Sequence, residues 1–191
     1  MSAESQLFLL ALGVMVILTG LGMLGDYMRA RLPESQNSPA LETYMTRIQS
    51  WWLIVVFLAL GLILGRTGVV LIFAVAAFAA LREYVTLSFK ARGDHLSLAA
   101  AFYLILPAQF LFVWLDWSEL FTVFIPVYVF LSLPVLSLFR GGHERLQTRV
   151  AETQWGLMIC VYCASHIPAL MTLDVPGYDG RAVLLIAFLF L

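Results

Sequence analysis

The chain has 191 residues, 62% of them hydrophobic and only 12% charged, with a mean hydropathy of +0.92; a soluble domain is about half apolar and about a quarter charged. A water-soluble globule cannot bury so much oil. A net charge of −1, with no basic tail and no basic patch interleaved with aromatics, gives nucleic acid nothing to bind. The composition predicts an all-α fold: a polytopic transmembrane helical bundle, one membrane domain over 1–191, with about six full spans and the start of a seventh.

Crossing a hydrocarbon core of about 30 Å takes roughly 20 apolar residues, and the blocks that meet this follow in chain order. Residues 7–25 form the first span; with Glu4 as the only nearby charge and no small-residue cleavage site, it reads as a retained anchor and not a signal peptide. The polar stretch 26–50 contains Pro33 and Pro39. Ser38 and Pro39 resemble a helix start, and Ala40, Leu41, Tyr44, Met45 and Ile48 recur on one face, which predicts a short interfacial helix. Residues 51–65 and 67–86 form the second and third spans, joined by a tight turn at Gly65, Arg66, Thr67 and Gly68. Nothing breaks the third helix before Gly93, so it is expected to continue through Arg82, Glu83, Tyr84 and Lys90 into water. The fourth span, 96–115, carries Pro107. The fifth, 120–139, carries Pro126 and Pro134, which spans tolerate when neighbours satisfy the freed carbonyls. The sixth covers 155–173. The run 182–191 is too short to cross, so the chain reads as a fragment truncated in a seventh span.

Of the 11 Lys and Arg residues, nine fall in alternate loops: Arg29, Arg31, Arg47, Arg82, Lys90, Arg92, Arg140, Arg145 and Arg149. Only Arg66 and Arg181 fall on the other side. Positive charge is retained in the cytoplasm, so the N-terminus is expected outside it. Trp51, Trp52, Trp114, Trp117 and Trp155 all lie at expected span ends, the interfacial level that indole prefers.

Few residues carry chemistry. Arg82 and Glu83 sit just inside the basic edge of the third span, where an ionisable group is costly and is often functional. As helical neighbours they do not face each other; the plainer reading has Arg82 snorkelling to phosphates and Glu83 meeting another helix. His166, between Ser165 and Pro168, lies within the sixth span and must find a partner or stay neutral; its plainer reading is a packing hydrogen bond between helices. Cys160 and Cys163 match a CxxC spacing, but in an apolar block without a thioredoxin-like setting they read as small packing residues. Gln109, beside Pro107, reads most simply as a packing contact. Walker A, GxGxxG, HExxH and GxSxG motifs are all missing, so these residues give topology and a polar patch but no reaction.

Resemblance adds the reaction. Ala80-Leu81-Arg82-Glu83-Tyr84-Val85-Thr86-Leu87 resembles the Arg/Lys-Glu-Tyr element of bacterial phosphatidate cytidylyltransferases, the CDP-diacylglycerol synthases. Arg47-Ile48-Gln49-Ser50-Trp51-Trp52 resembles the Trp-Trp start of the preceding span in one branch of that family, and Ala164-Ser165-His166 resembles its Ser-His element. The similarity runs from about Arg47 to Leu191. It implies a bacterial inner-membrane enzyme of phospholipid synthesis that makes CDP-diacylglycerol and diphosphate from CTP and phosphatidate, with Mg2+ at a cytoplasm-facing site. Arg82, Glu83 and His166 are then candidates for substrate binding, with a homo-oligomer left open. The family's Ser-Pro-x-Lys-Thr stretch and later acidic block are not found among the 191 residues. The catalytic half and the metal ligands are therefore expected elsewhere, and this polypeptide alone is expected to be inactive. Two other classes remain as alternatives: a transporter or channel using His166, Gln109 and the proline-broken spans as a polar path, and a membrane scaffold whose polar groups only fix packing.

Overall fold

The computed structural model describes residues 3–31, 39–88, 95–140, 146–172 and 186. The described residues are helical or in short turns, with no strand among them, and six of the helices are long and apolar enough to cross a membrane. The chain is thus an integral membrane protein of all-α class. It divides into two compact units, Met1–Leu60 with Pro176–Leu191, and Gly61–Val175.

The first unit holds α1 (Ala3–Arg31) and most of α2 (Pro39–Ile63). Gly25 lets the two helices approach: a methyl group there would run into Met45 Sδ and the Tyr44 ring. The Tyr44 hydroxyl donates to the Leu21 carbonyl at 3.1 Å. Both helices are longer than the apolar runs 7–25 and 51–65. The expected interfacial helix is not a separate element but the first half of α2. No Gly or Pro lies between Pro39 and Trp51 to end the helix, so the polar segment continues unbroken into the span. Trp51 and Trp52 therefore sit in mid-helix, not at a helix end. Of the expected seventh span, 182–191, only Ile186 is described; it is helical and fully buried, and the rest lies outside the described residues.

The second unit packs four antiparallel helices: α3 (Gly65–Leu87), α4 (His95–Trp114), α5 (Ser118–Leu138, helical on to Arg140) and α6 (Leu146–Thr172). The turn before α3 is made possible by Gly65, whose φ of +68° would cost a side-chain-bearing residue about 1 kcal/mol. The α4–α5 turn uses Asp116 at φ +64°, a residue type that tolerates the left-handed region. Arg66 joins the two turns, bridging to Asp116 at 3.2 Å and donating to the Val113 carbonyl at 2.8 Å. Next to this pair, Trp114 Nε1 donates to Thr67 Oγ1 at 3.2 Å.

The third span was expected over 67–86 with its helix continuing through Lys90; α3 covers Gly65–Leu87 and stops there. There Ser88 turns extended, and its N–H and hydroxyl both cap the Tyr84 carbonyl. Lys90 and Gly93 lie outside the described residues. The sixth span differs most. It was expected over 155–173, with Arg149 in a loop, but α6 begins at Leu146 and Arg149 is a buried helical residue. Hydropathy missed this first third because it is polar, although Arg149 and Thr153 are buried there.

Three of the four helices contain a π-helical stretch: Ala101–Ile105 in α4, Phe124–Val129 in α5 and Met158–Cys163 in α6. Pro126 lies within the α5 stretch, and its missing N–H strands a carbonyl, that of Thr122 in α register or of Phe121 in π register. Both carbonyls are taken by side chains. Tyr162 Oη donates to Thr122 O at 3.0 Å, and Gln109 Nε2 donates to Phe121 O at 3.0 Å. Pro134 likewise frees the Phe130 carbonyl, which accepts from Gln154 Nε2 at 2.8 Å.

Candidate functional site at the basic end of the second unit

Arg82 and Glu83 lie in the last two turns of α3, and both are exposed. Among the described residues neither side chain makes a hydrogen bond or ion pair. What holds this turn is the opposite face of the helix. Leu81 is 1% exposed, and Tyr84, three residues on, lies against Gly156 of α6. A Cβ at residue 156 would come within 2.7 Å of the Tyr84 ring, so only glycine permits the contact as built. Burial of Leu81 and the contact of Tyr84 with α6 turn Arg82 and Glu83 outward.

The same end of the unit contains a group of buried polar side chains that the sequence reading missed. Ser97 in the first turn of α4, Ser137 near the end of α5, and Arg149 and Thr153 in α6 are 2%, 4%, 5% and 6% exposed. Their segments pack together: His95–Ala100 on Phe130–Arg140, and Leu146–Leu157 on both Phe130–Arg140 and α3. Arg149, Glu152, Thr153 and Gly156 recur at helical spacing, so the stripe of α6 that meets Tyr84 carries a guanidinium and a half-buried carboxylate towards the basic end. Thr153 Oγ1 donates to the Arg149 carbonyl at 3.0 Å. The Arg149 guanidinium is a planar, delocalised cation. Held in place by burial, it is a fixed positive charge at the level where α3 ends, and a planar donor fork of this kind suits a phosphate or carboxylate. The signal in the sequence was the spacing of these four residues, obscured by low hydropathy.

His166 is not part of this group. It lies ten residues beyond Gly156 on α6, about 15 Å further along the axis, towards the opposite end. Its Nδ1 is 2.8 Å from the Tyr162 carbonyl one turn earlier; since a carbonyl only accepts, Nδ1 carries the hydrogen. The ring packs on Phe121 and Tyr162, at centroid distances of 4.9 and 4.5 Å. Ser165, fully buried, donates to Tyr162 O at 2.7 Å and accepts from Gln109 Nε2 at 3.0 Å. The Ser-His element therefore belongs to the interior network that serves the Pro126 carbonyls. Cys160 and Cys163 are free thiols, one half-buried and one exposed. Among the described residues no three His, Cys, Asp or Glu residues are grouped to hold a metal ion.

The family model for the cytidylyltransferase family matches residues 45–191, which include α3 to α6 and every residue of this site. The chain belongs to the cytidylyltransferase family. A relative among curated proteins is "Uncharacterized protein YnbB" of Escherichia coli (strain K12), 28% identical over 167 residues, covering 87% of this chain and 53% of the relative. This cytidylyltransferase-family chain thus spans about half the length of the curated relative it matches. No solved structure matches it.

Proposed function

We propose that the chain forms the lipid-side part of a phosphatidate cytidylyltransferase, and that its basic end faces the cytoplasm. In that reaction a phosphate oxygen of phosphatidate attacks the α-phosphorus of CTP. The bond between the α-phosphorus and its bridging oxygen breaks, diphosphate leaves, and CDP-diacylglycerol stays in the bilayer. Arg149 and Arg82 hold the lipid phosphate, the first as a buried fixed charge and the second as a mobile one at the surface. Glu83 orients the incoming nucleotide. The observation that carries the reading is the buried Arg149 guanidinium at the end of the unit where Arg82 and Glu83 emerge, in a chain whose family transfers cytidylyl groups. Magnesium and the nucleotide-holding residues belong to parts of the protein outside these 191 residues, and the chain alone is expected to show no turnover.

The test is phosphatidate-dependent release of diphosphate from CTP by the purified whole protein. Arg149→Lys keeps the charge but loses the planar fork, and is expected to lower kcat/KM for phosphatidate by about 10-fold or more. Arg82→Ala and Glu83→Ala are expected to lower it too. Unchanged kinetics in all three variants would remove these residues from the site. Diphosphate release with a different lipid acceptor and none with phosphatidate would overturn the acceptor assignment. Turnover by the 191 residues alone would overturn their assignment as one part of the site.

A further inference from the structure

At the other end of the second unit, α3 and α4 enclose an apolar groove of about 490 Å³, within the size range of small-molecule sites. It follows one stripe of each helix, from Thr67 to Phe78 on α3 and from Leu106 to Trp114 on α4. Its floor is Val70, Leu106 and Phe110, all at most 5% exposed, and its walls include Val75 and Leu111, which are open to the surroundings. The groove exists because a methyl group at Ala74 and a flat ring at Pro107 stand between bulkier neighbours.

Three observations limit what can occupy it. First, its lining is almost wholly apolar: the only polar side-chain groups are those of Thr67 and Trp114, and Trp114 Nε1 donates to Thr67 Oγ1, so a polar ligand would lose most of its hydrogen bonds to water without replacement. Second, it is long and narrow. Thr67 to Phe78 is about 16 Å along the helix axis, or half of a hydrocarbon core about 30 Å thick, a length that matches the depth of one leaflet. Third, its outer end lies beside Arg66, whose side chain remains 34% exposed while bridging Asp116; charge is thus placed at headgroup level and nowhere deeper.

We propose that this groove holds one acyl chain of a phospholipid from the leaflet opposite the basic end, with the lipid phosphate drawn to Arg66. The site is separate from the reaction proposed above and does not depend on it. It would make the α3–α4 pair a lipid-filled contact in which a specific, slowly exchanging lipid completes the packing.

The experiment reconstitutes the whole protein in vesicles of phosphatidylethanolamine and phosphatidylglycerol, doped in separate samples with one or the other lipid carrying a photoactivatable diazirine in mid-chain, and maps the adducts by mass spectrometry. Adducts are expected to concentrate on 67–78 and 106–114. Ala74→Phe, which fills the space left by the alanine methyl group, is expected to reduce them about tenfold, and Val75→Phe, which crowds it from the wall, is expected to act in the same direction. Asp116→Asn, which removes the carboxylate competing for Arg66, is expected to raise labelling by the anionic lipid more than by the zwitterionic one. Labelling spread evenly over all lipid-facing helices at that depth would overturn the proposal, as would labelling indifferent to both phenylalanine variants. Absence of adducts from the groove would mean that protein covers it, which also overturns the proposal. A diazirine fatty acid that labels as well as the phospholipid would overturn the headgroup assignment, as would an equal response of the two headgroups to Asp116→Asn.

Discussion

A proline inside a membrane helix leaves a carbonyl that no water can reach, so a side chain from a neighbouring helix has to serve it. Here Pro126 is matched by Tyr162 and Gln109, and Pro134 by Gln154. The pairing makes a sharp prediction. Tyr162→Phe should destabilise the protein by about 1 kcal/mol, the range measured for hydrogen bonds between membrane helices. In the Pro126→Ala background the restored N–H can serve Thr122, and the same substitution should then cost close to nothing. A double-mutant cycle on unfolding in detergent checks this; equal costs in both backgrounds would show that Tyr162 does not serve the proline-freed carbonyl. Gln109 is the more constrained partner. Phe121 O only accepts and the Ser165 hydroxyl already donates to Tyr162 O, so both contacts must be made by the Gln109 amide nitrogen. Gln109→Leu leaves Phe121 O and Ser165 Oγ without this donor in an apolar interior, and is expected to lower stability by about 1–3 kcal/mol.

At the scale of elements, the main departures from expectation share one cause. Hydropathy marks where a helix is greasy, whereas a helix ends only where its backbone meets a cap, a proline or an adverse φ. From Pro39 to Trp51 and from Leu146 to Trp155 there is no such stop, so α2 and α6 begin well before their apolar runs. The positions that do stop helices were legible: the Gly65 turn was expected and is present with its positive φ. Gly65→Ala is expected to cost about 1 kcal/mol, read as a lower thermal midpoint. Gly156→Ala acts differently. It forces Tyr84 away from α6, is expected to cost about 1–3 kcal/mol as overpacking, and should shift the Arg82–Glu83 turn. A Gly156→Ala protein that keeps wild-type stability and wild-type reactivity of a spin label at residue 83 would show that the contact is not restrictive.

For the whole molecule, the uneven distribution of Lys and Arg predicts that the ends of α3 and α5 and the start of α6 lie in the cytoplasm. In intact cells, a cysteine placed by Gln147→Cys in a chain lacking Cys160 and Cys163 should be protected from a membrane-impermeant maleimide. One placed by Ser118→Cys, at the start of α5 at the opposite end, should be labelled. The reverse pattern would invert the topology and move Arg149, Arg82 and Glu83 away from cytosolic CTP.

The sequence by itself determined the class, the number of membrane-competent helices and the tight turns, because transfer of each side chain into hydrocarbon is a local quantity that sums along the chain. It also singled out Arg82 and Glu83, since charges at a span edge stand out in any hydropathy reading. Only the tertiary structure decided that Arg149 is buried beside that edge, that His166 lies about 15 Å further along α6 from Gly156, and that Gln109 and Tyr162 serve the Pro126 carbonyls. Those outcomes depend on how each helix is rotated and which neighbour it meets. Packing between faces sets both, and no single segment carries that information.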